Sequence, residues 1–182
     1  MTSEDFEYAY ELRVPKERVA VVIGKQGEVK KRLERETKTH LDIDSEEGII
    51  QIKGDNALHL FTSREIIRAI GRGFNPEIAL LLLKQDYGLE IINLNFFAKS
   101  EKDMLRLKGR VIGEGGKSRT TIEKLTDTYI SVFGKTISIL GEYGGLAFAR
   151  KAIEQLVEGS QHSNVYKWLE KRQKEMRFKE LM

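Results

Sequence analysis

The chain has 182 residues, 40% of them hydrophobic and 32% charged, an ordinary balance for one or two compact domains with a charged surface. It holds no cysteine, which excludes disulfides, cysteine nucleophiles and thiolate metal sites and fits a cytoplasmic protein. The net charge of +3 and isoelectric point of about 9.0 are basic, but too modest to mark a nucleic-acid binder without further signs.

In chain order, residues 1–5 are acidic, so no secretory signal is expected. Residues 8–14 read as extended. Pro15 suits a helix start, and the short helix it opens runs into Gly24-Lys25-Gln26-Gly27. A second helix is expected over Glu28–Thr37. A hairpin follows, in which 41–43 and 49–52 flank the turn 45–48. Leu58, Phe61, Ile66, Ile67 and Ile70 mark the apolar face of a long helix. A glycine-rich break over 71–76 leads into an apolar helix over 77–85, expected to be buried between two domains. The run 78–83 is far short of the roughly 20 residues that span a bilayer.

The order then starts again. Residues 89–97 alternate as a strand, 104–108 are helix-like, and Gly113-Glu114-Gly115-Gly116 forms a second loop. A helix over Lys117–Thr126, a hairpin of 129–132 with 136–140, and a helix marked by Ala147, Ile153, Leu156 and Val157 complete it. The tail carries Tyr166, Trp168, Leu169 and Phe178 among charges and is expected to dock partly on the core.

The two stretches are one unit written twice, at the constant offset of 89 that separates Gly24 from Gly113. Val22, Ile23, Gly24 and Gly27 match Val111, Ile112, Gly113 and Gly116. Beyond the loop, Leu33, Glu34, Thr37, Thr39, Leu41 and Ile43 fall on Ile122, Glu123, Thr126, Thr128, Ile130 and Val132. The organisation expected is a first domain over 1–75, an inter-domain helix over 76–88, and a second domain with a helical extension over 89–182.

A glycine loop between two helices has a chemical use. The second helix presents unpaired backbone N–H groups and the positive end of its dipole. Anions bind there, and glycine lets a phosphodiester lie against the chain. Val22, Ile23, Val111 and Ile112 would wall a groove for unstacked bases, with Leu41 and Ile43, or Ile130 and Val132, opposite. Lys25, Lys30, Lys31, Lys117 and Arg119 would reach phosphates, setting affinity and salt dependence rather than sequence preference. A single G-x-x-G is a common tight turn. Here it recurs in matching contexts, each followed by an apolar helix position and a hairpin.

Other chemistry fits poorly. Gly115-Gly-Lys-Ser118 ends like a nucleotide-binding P-loop, but that motif needs glycine where Val111 stands. A nucleotide-dependent enzyme is therefore the weaker reading. His40, His59 and His162 show no metal-ligand spacing, and Asp42, Asp44, Glu46 and Glu47 do not match a Ca²⁺ loop. No catalytic set, cofactor motif or metal site is expected. A third reading keeps the first copy as a protein-docking surface, through its hairpin and Lys25.

The stretch 109–128, Gly-Arg-Val-Ile-Gly-Glu-Gly-Gly-Lys-Ser-Arg-Thr-Thr-Ile-Glu-Lys-Leu-Thr-Asp-Thr, resembles the second KH domain of the partner-of-Nob, or dimethylase-interacting, ribosome assembly factors of archaea and eukaryotes. Residues 70–81, 137–141 and 164–166 are similar to the same family, so the resemblance spans nearly the whole chain and looks archaeal. It implies an α+β fold of two tandem type I KH domains. Each would be a three-stranded antiparallel sheet packed against helices, clamping about four nucleotides of single-stranded RNA. The RNA contacts it implies are firmest at Arg110, Gly113, Gly115, Gly116, Lys117 and Arg119. Ile112 and Glu114 lie among these, and Ile23, Gly24, Lys25, Gln26, Gly27, Lys30 and Lys31 are their counterparts in copy one. Glu114 stands where the family often has lysine. The implied role is maturation of the small ribosomal subunit near the 3′ end of its rRNA. The implied partners are the processing endonuclease and the rRNA adenine dimethyltransferase, with a translation initiation factor subunit as a further candidate.

Overall fold

The computed structural model describes residues 6–180, so the acidic start over 1–5 lies outside it. The chain divides into two units, residues 1–85 and 86–182.

In the first unit β1 (Tyr8–Arg13) leads to α1 (Lys16–Ile23), capped by Pro15. A single 3₁₀ turn, Lys25–Gly27, joins it to α2 (Glu28–Thr37). Then come β2 (His40–Asp44), β3 (Ile49–Gly54) and α3 (Ala57–Gly71). The sheet order is β1-β3-β2, all antiparallel, with Leu12 and Ile43 both opposite Ile50. Leu41, Ile50 and Ile52 are buried, as are Val19 and Val22 of α1, Leu33 of α2, and Ile66, Ile67 and Ile70 of α3. Leu58 and Phe61, expected on that apolar face, are exposed instead. Leu60 and Ser63, in phase with Ile67 and Ile70, take the inner positions, and Leu58 and Phe61 fall on the outer side of the helix.

The apolar helix expected over 77–85 is shorter and broken. It is α4 (Pro76–Ala79), with Asn75 accepting from the Glu77 N–H, followed by a 3₁₀ turn over Leu80–Leu83. It packs on α3 of the first unit, and of its leucines only Leu80 is buried.

The second unit repeats the order. β4 (Tyr87–Asn93) ends in a 3₁₀ turn at 94–96, shorter than the strand expected over 89–97, because Asn93 caps that turn. Next are α5 (Glu101–Ile112), a 3₁₀ turn at Glu114–Gly116, α6 (Lys117–Thr126), β5 (Thr128–Phe133), β6 (Thr136–Glu142) and α7 (Tyr143–Val157). The sheet order is β4-β6-β5. Leu107, Val111, Ile122, Ile137, Ile139, Ile153 and Leu156 fill the core. Ala147 is exposed, and Leu146 and Ala149 take the core positions. Helix α8 (His162–Glu180) seats Val165 and Leu169 in this core, with Tyr166 and Trp168 against it, while Phe178 points to solvent.

The residues shared by the two copies beyond the loop are structural. Thr37 Oγ1 donates to the Leu33 carbonyl at 2.7 Å and pairs with Thr39 Oγ1 at 2.7 Å. Thr126 does the same with Ile122 and Thr128, at 2.8 Å each. Glu34 accepts the Leu41 N–H at 2.9 Å and Glu123 accepts the Ile130 N–H at 2.7 Å. These carboxylates pin the second helix to the outer strand of each sheet and satisfy an edge donor that would otherwise need water.

Candidate nucleic-acid interface

Each loop has the same backbone. Gly24 and Gly113 have φ/ψ of 73/174° and 72/174°; Gln26 and Gly115 have 52/26° and 58/22°; Gly27 and Gly116 have 76/15° and 79/8°. The glycines within a loop do different work. A Cβ on Gly24 would lie 2.4 Å from Val29 Cγ2 and 2.8 Å from its amide nitrogen. On Gly113 it would lie 2.6 Å from Ser118 Cβ and 2.7 Å from its amide nitrogen. The first glycine therefore lets the chain fold back on the second helix. Around Gly27, Gly115 and Gly116 an added Cβ meets no atom within 4 Å. These positions form an open cradle at the N-termini of α2 and α6, where amides point outward.

The side chains around the two cradles reverse. Lys25 precedes Glu28 in the first, and Glu114 precedes Lys117 in the matching positions of the second. All four are exposed, so each cradle has one cation and one carboxylate beside it. One turn on, Lys30 and Arg119 occupy the same position, each 3.9 Å from the glutamate that pins its helix, Glu34 or Glu123. Lys31, Lys25, Gln26 and Lys117 are exposed.

Two of the residue types expected at the groove are elsewhere. Val22, Val111, Leu41 and Ile130 are core residues, leaving Ile23, Ile112, Ile43 and Val132 as the accessible apolar lining. Ile112 is 36% exposed. Arg110 is occupied: its Nε donates to the Leu156 carbonyl at 2.8 Å and its Nη2 to the Ser160 carbonyl at 2.5 Å, while its own carbonyl lies 2.7 Å from His162 Nε2. It clamps α5 to the end of α7. Arg18 makes the matching clamp in the first unit, to the Ile70 and Phe74 carbonyls at 2.8 Å each, and sequence reasoning missed it. Burial holds the Arg18 pKa below the usual guanidinium value.

A hollow runs beside the second helix of each unit. In the first it is about 530 Å³, lined by Lys30 together with Asp42, Ile43 and Asp44 of β2. In the second it is about 600 Å³, lined by Thr120 and Lys124 of α6 with Thr128 and Tyr129 of β5. The outer strands differ: β2 presents Asp42 and Asp44 where β5 has Ser131 and Phe133. Lys53 and, to a lesser extent, His40 hold the Asp42 carboxyl below its usual range.

A β-α-loop-α-β-β-α unit with a glycine cradle between its first two helices defines a KH domain, the class of single-stranded RNA-binding modules. Residues 9–69 match the KH domain family, and residues 88–174 match the second KH domain of PNO1, described as eukaryotic type KH-domain, KH-domain type I. A KH domain-containing protein of Methanocaldococcus jannaschii is 45% identical over 170 residues, 91% of this chain and 74% of its own. The crystal structure of Dim2p from Pyrococcus horikoshii, 41% identical, aligns with a TM-score of 0.85 over 91% of this chain and 99% of that one. The Pyrococcus protein solved in complex with a/eIF2alpha and rRNA aligns with a TM-score of 0.88 at 41% identity, over 94% and 97% of the two chains. The chain belongs to the Dim2p/PNO1 family of KH-domain RNA-binding proteins.

Proposed function

We propose that this chain is a non-enzymatic assembly factor that binds single-stranded small-subunit rRNA near its 3′ end and assists the endonuclease that trims it, alongside the rRNA adenine dimethyltransferase. The observation that carries the reading is the open cradle at Gly115 and Gly116, backed by α6 and flanked by Lys117 and Arg119. Two further observations support it. The Pyrococcus relative was solved with rRNA and a/eIF2alpha, which favours an RNA ligand and a translation initiation factor subunit as a partner. Gly109 is exposed inside α5, one turn before the loop, and a Cβ there meets nothing. Glycine inside a helix costs about 0.5–1 kcal/mol relative to alanine, and the fold does not call for it here. A base or sugar lying against α5 does.

The test is fluorescence anisotropy with a single-stranded RNA of the rRNA 3′ end. The double variant Gly115→Asp/Gly116→Asp is expected to lose roughly tenfold to hundredfold in affinity, about 1.5–3 kcal/mol, as the carboxylates displace a phosphate from the backbone N–H donors. Its circular dichroism should not change: Gln26 shows that a side chain fits at the position of Gly115, and at Gly116 aspartate is among the residues that tolerate the left-handed region, as Asp127 does at φ 50°, with open space for its Cβ. Unchanged affinity would sink the reading. Addition of the chain to the purified endonuclease and an rRNA precursor should raise the cleavage rate, and no change would remove the processing role.

A further inference from the structure

The first unit carries an arginine–aromatic stack where the second has ion pairs. The guanidinium of Arg64 on α3 lies over two rings at once, 5.1 Å from the centroid of Tyr10 on β1 and 5.0 Å from that of Phe61. Both rings are open to solvent, Tyr10 by 42% and Phe61 by 53%, with Tyr8 at 41% and Leu58 at 69% beside them.

The second copy provides a control. Tyr10 lies opposite Ile52 and Glu90 opposite Ile139, while Leu41 and Ile130, matched by the repeat, face the same two isoleucines from the other side. Tyr10 and Glu90 are therefore equivalent, and so are Tyr8 and Gly88. Helices α3 and α7 are both 15 residues long and bury Leu60, Ile67 and Ile70 where α7 buries Leu146, Ile153 and Leu156. On that register Leu58, Phe61 and Arg64 correspond to Gly144, Ala147 and Arg150. The arginine is kept, and its surroundings are not. Arg150 donates from Nε to Glu154 at 2.9 Å and from Nη1 to Glu90 on the neighbouring strand. A Cβ on Gly88 would fall 2.7 Å from the Tyr143 ring, so the second copy covers itself there. There it has one tyrosine from the start of α7 and an arginine held by carboxylates, with no arginine between two rings among the described residues.

In the first copy Glu65 takes Nε and Nη2 of Arg64, at 3.1 and 3.0 Å. Nη1, the donor that meets a strand carboxylate in the second copy, has no partner among the described residues. Beside it, among the described residues, β1 is bonded to β3 alone, and five of its six residues are exposed. An unprotected edge strand with aromatic and arginine side chains over it fits peptide addition in β form. Exposed Tyr, Phe and Arg are also the side chains that anchor protein interfaces. RNA fits less well. The face lies at the sheet edge opposite β2, away from the cradle.

We infer that the β1–α3 face of the first unit docks an extended segment of a partner protein. The segment adds as a strand to β1, sets apolar side chains against Tyr8, Tyr10, Leu58 and Phe61, and gives a carboxylate to Arg64 Nη1. This inference stands independently of the RNA reading.

The probe is a seven-residue threonine peptide with valine at its second and sixth positions and glutamate at its fourth; the control has lysine at the fourth. Both are titrated into the full ¹⁵N-labelled chain. The glutamate peptide is expected to shift amides of residues 8–13 and 57–68 with a Kd below about 1 mM, and the lysine peptide at least tenfold less tightly. The variant Tyr10→Glu/Phe61→Ala, which installs the second copy's arrangement, should lose binding at least tenfold while keeping its melting temperature and RNA affinity. Leu58→Ser should weaken the peptide without touching the arginine. No shifts at these sites, equal binding of the two peptides, or equal binding by the variant would overturn the inference. So would a loss of RNA affinity in the variant, which would make the face a nucleic-acid surface. The Gly115→Asp/Gly116→Asp chain should still bind the peptide, so failure of one reading is separable from failure of the other.

Discussion

At Gly24 and Gly113 the backbone leaves no room for a methyl group, whereas at Gly27 and Gly116 there is only solvent. Identical letters in the motif thus carry different burdens, and substitution should separate them. Gly113→Ala drives a Cβ into the backbone of Ser118 at positive φ, and is expected to destabilise the second unit by about 2 kcal/mol or more in chemical denaturation. Gly109→Ala should do the reverse of most helix mutations near a site: stability rises by about 0.5–1 kcal/mol while RNA affinity falls. Lys38 and Asp127 close α2 and α6 in the left-handed region, at φ 53° and 50°. The periodicity of the sequence located those helix ends, because helix length and caps are local properties. It did not locate the clamp roles of Arg18 and Arg110, since the carbonyls they reach are 46 to 56 residues away.

Among elements, the seam between second helix and outer strand depends on one glutamate and two threonines per copy. Thr126→Val would leave the buried Thr128 hydroxyl without its partner, and thermal melting should report a loss of about 1–2 kcal/mol. Arg110→Ala and Arg119→Ala should part company: the first lowers stability, while the second lowers RNA affinity and reduces the salt slope by about one. Asp103 accepts the Lys99 N–H and the Arg106 guanidinium at the start of α5, and these bonds hold its carboxyl below the usual range. A depressed folded pKa means that its contribution is present above the unfolded value, about 3.9, and is lost as pH falls through the folded one. Asp103→Asn should therefore lower stability at neutral pH, where the carboxylate's contribution is present, and flatten the acid limb of the stability profile below about pH 4. The hairpins and second helices were legible because alternation and caps mark them. The apolar face of α3 was not, since Leu58 and Phe61 are large and apolar yet out of phase with Leu60, Ser63, Ile67 and Ile70, which the core buries.

For the molecule as a whole, the duplication was the clearest message of the sequence, and the two copies share a loop backbone within a few degrees. What the sequence concealed is how far their other surfaces have parted: acidic against neutral outer strands, and an aromatic against an ionic face at the opposite edge. The clamps show the same parting by another route. Arg18 matches Leu107 in the repeat and Arg110 matches Val21, so each copy ties its first helix to the end of its third from a different rung. The consequence is one of transplantation. The four-residue loop, entered and left at the same angles in both copies, is a cassette that can be exchanged between them. A graft that carries the preceding helix as well would bring a clamp cut for another lock, and strip the recipient of its own.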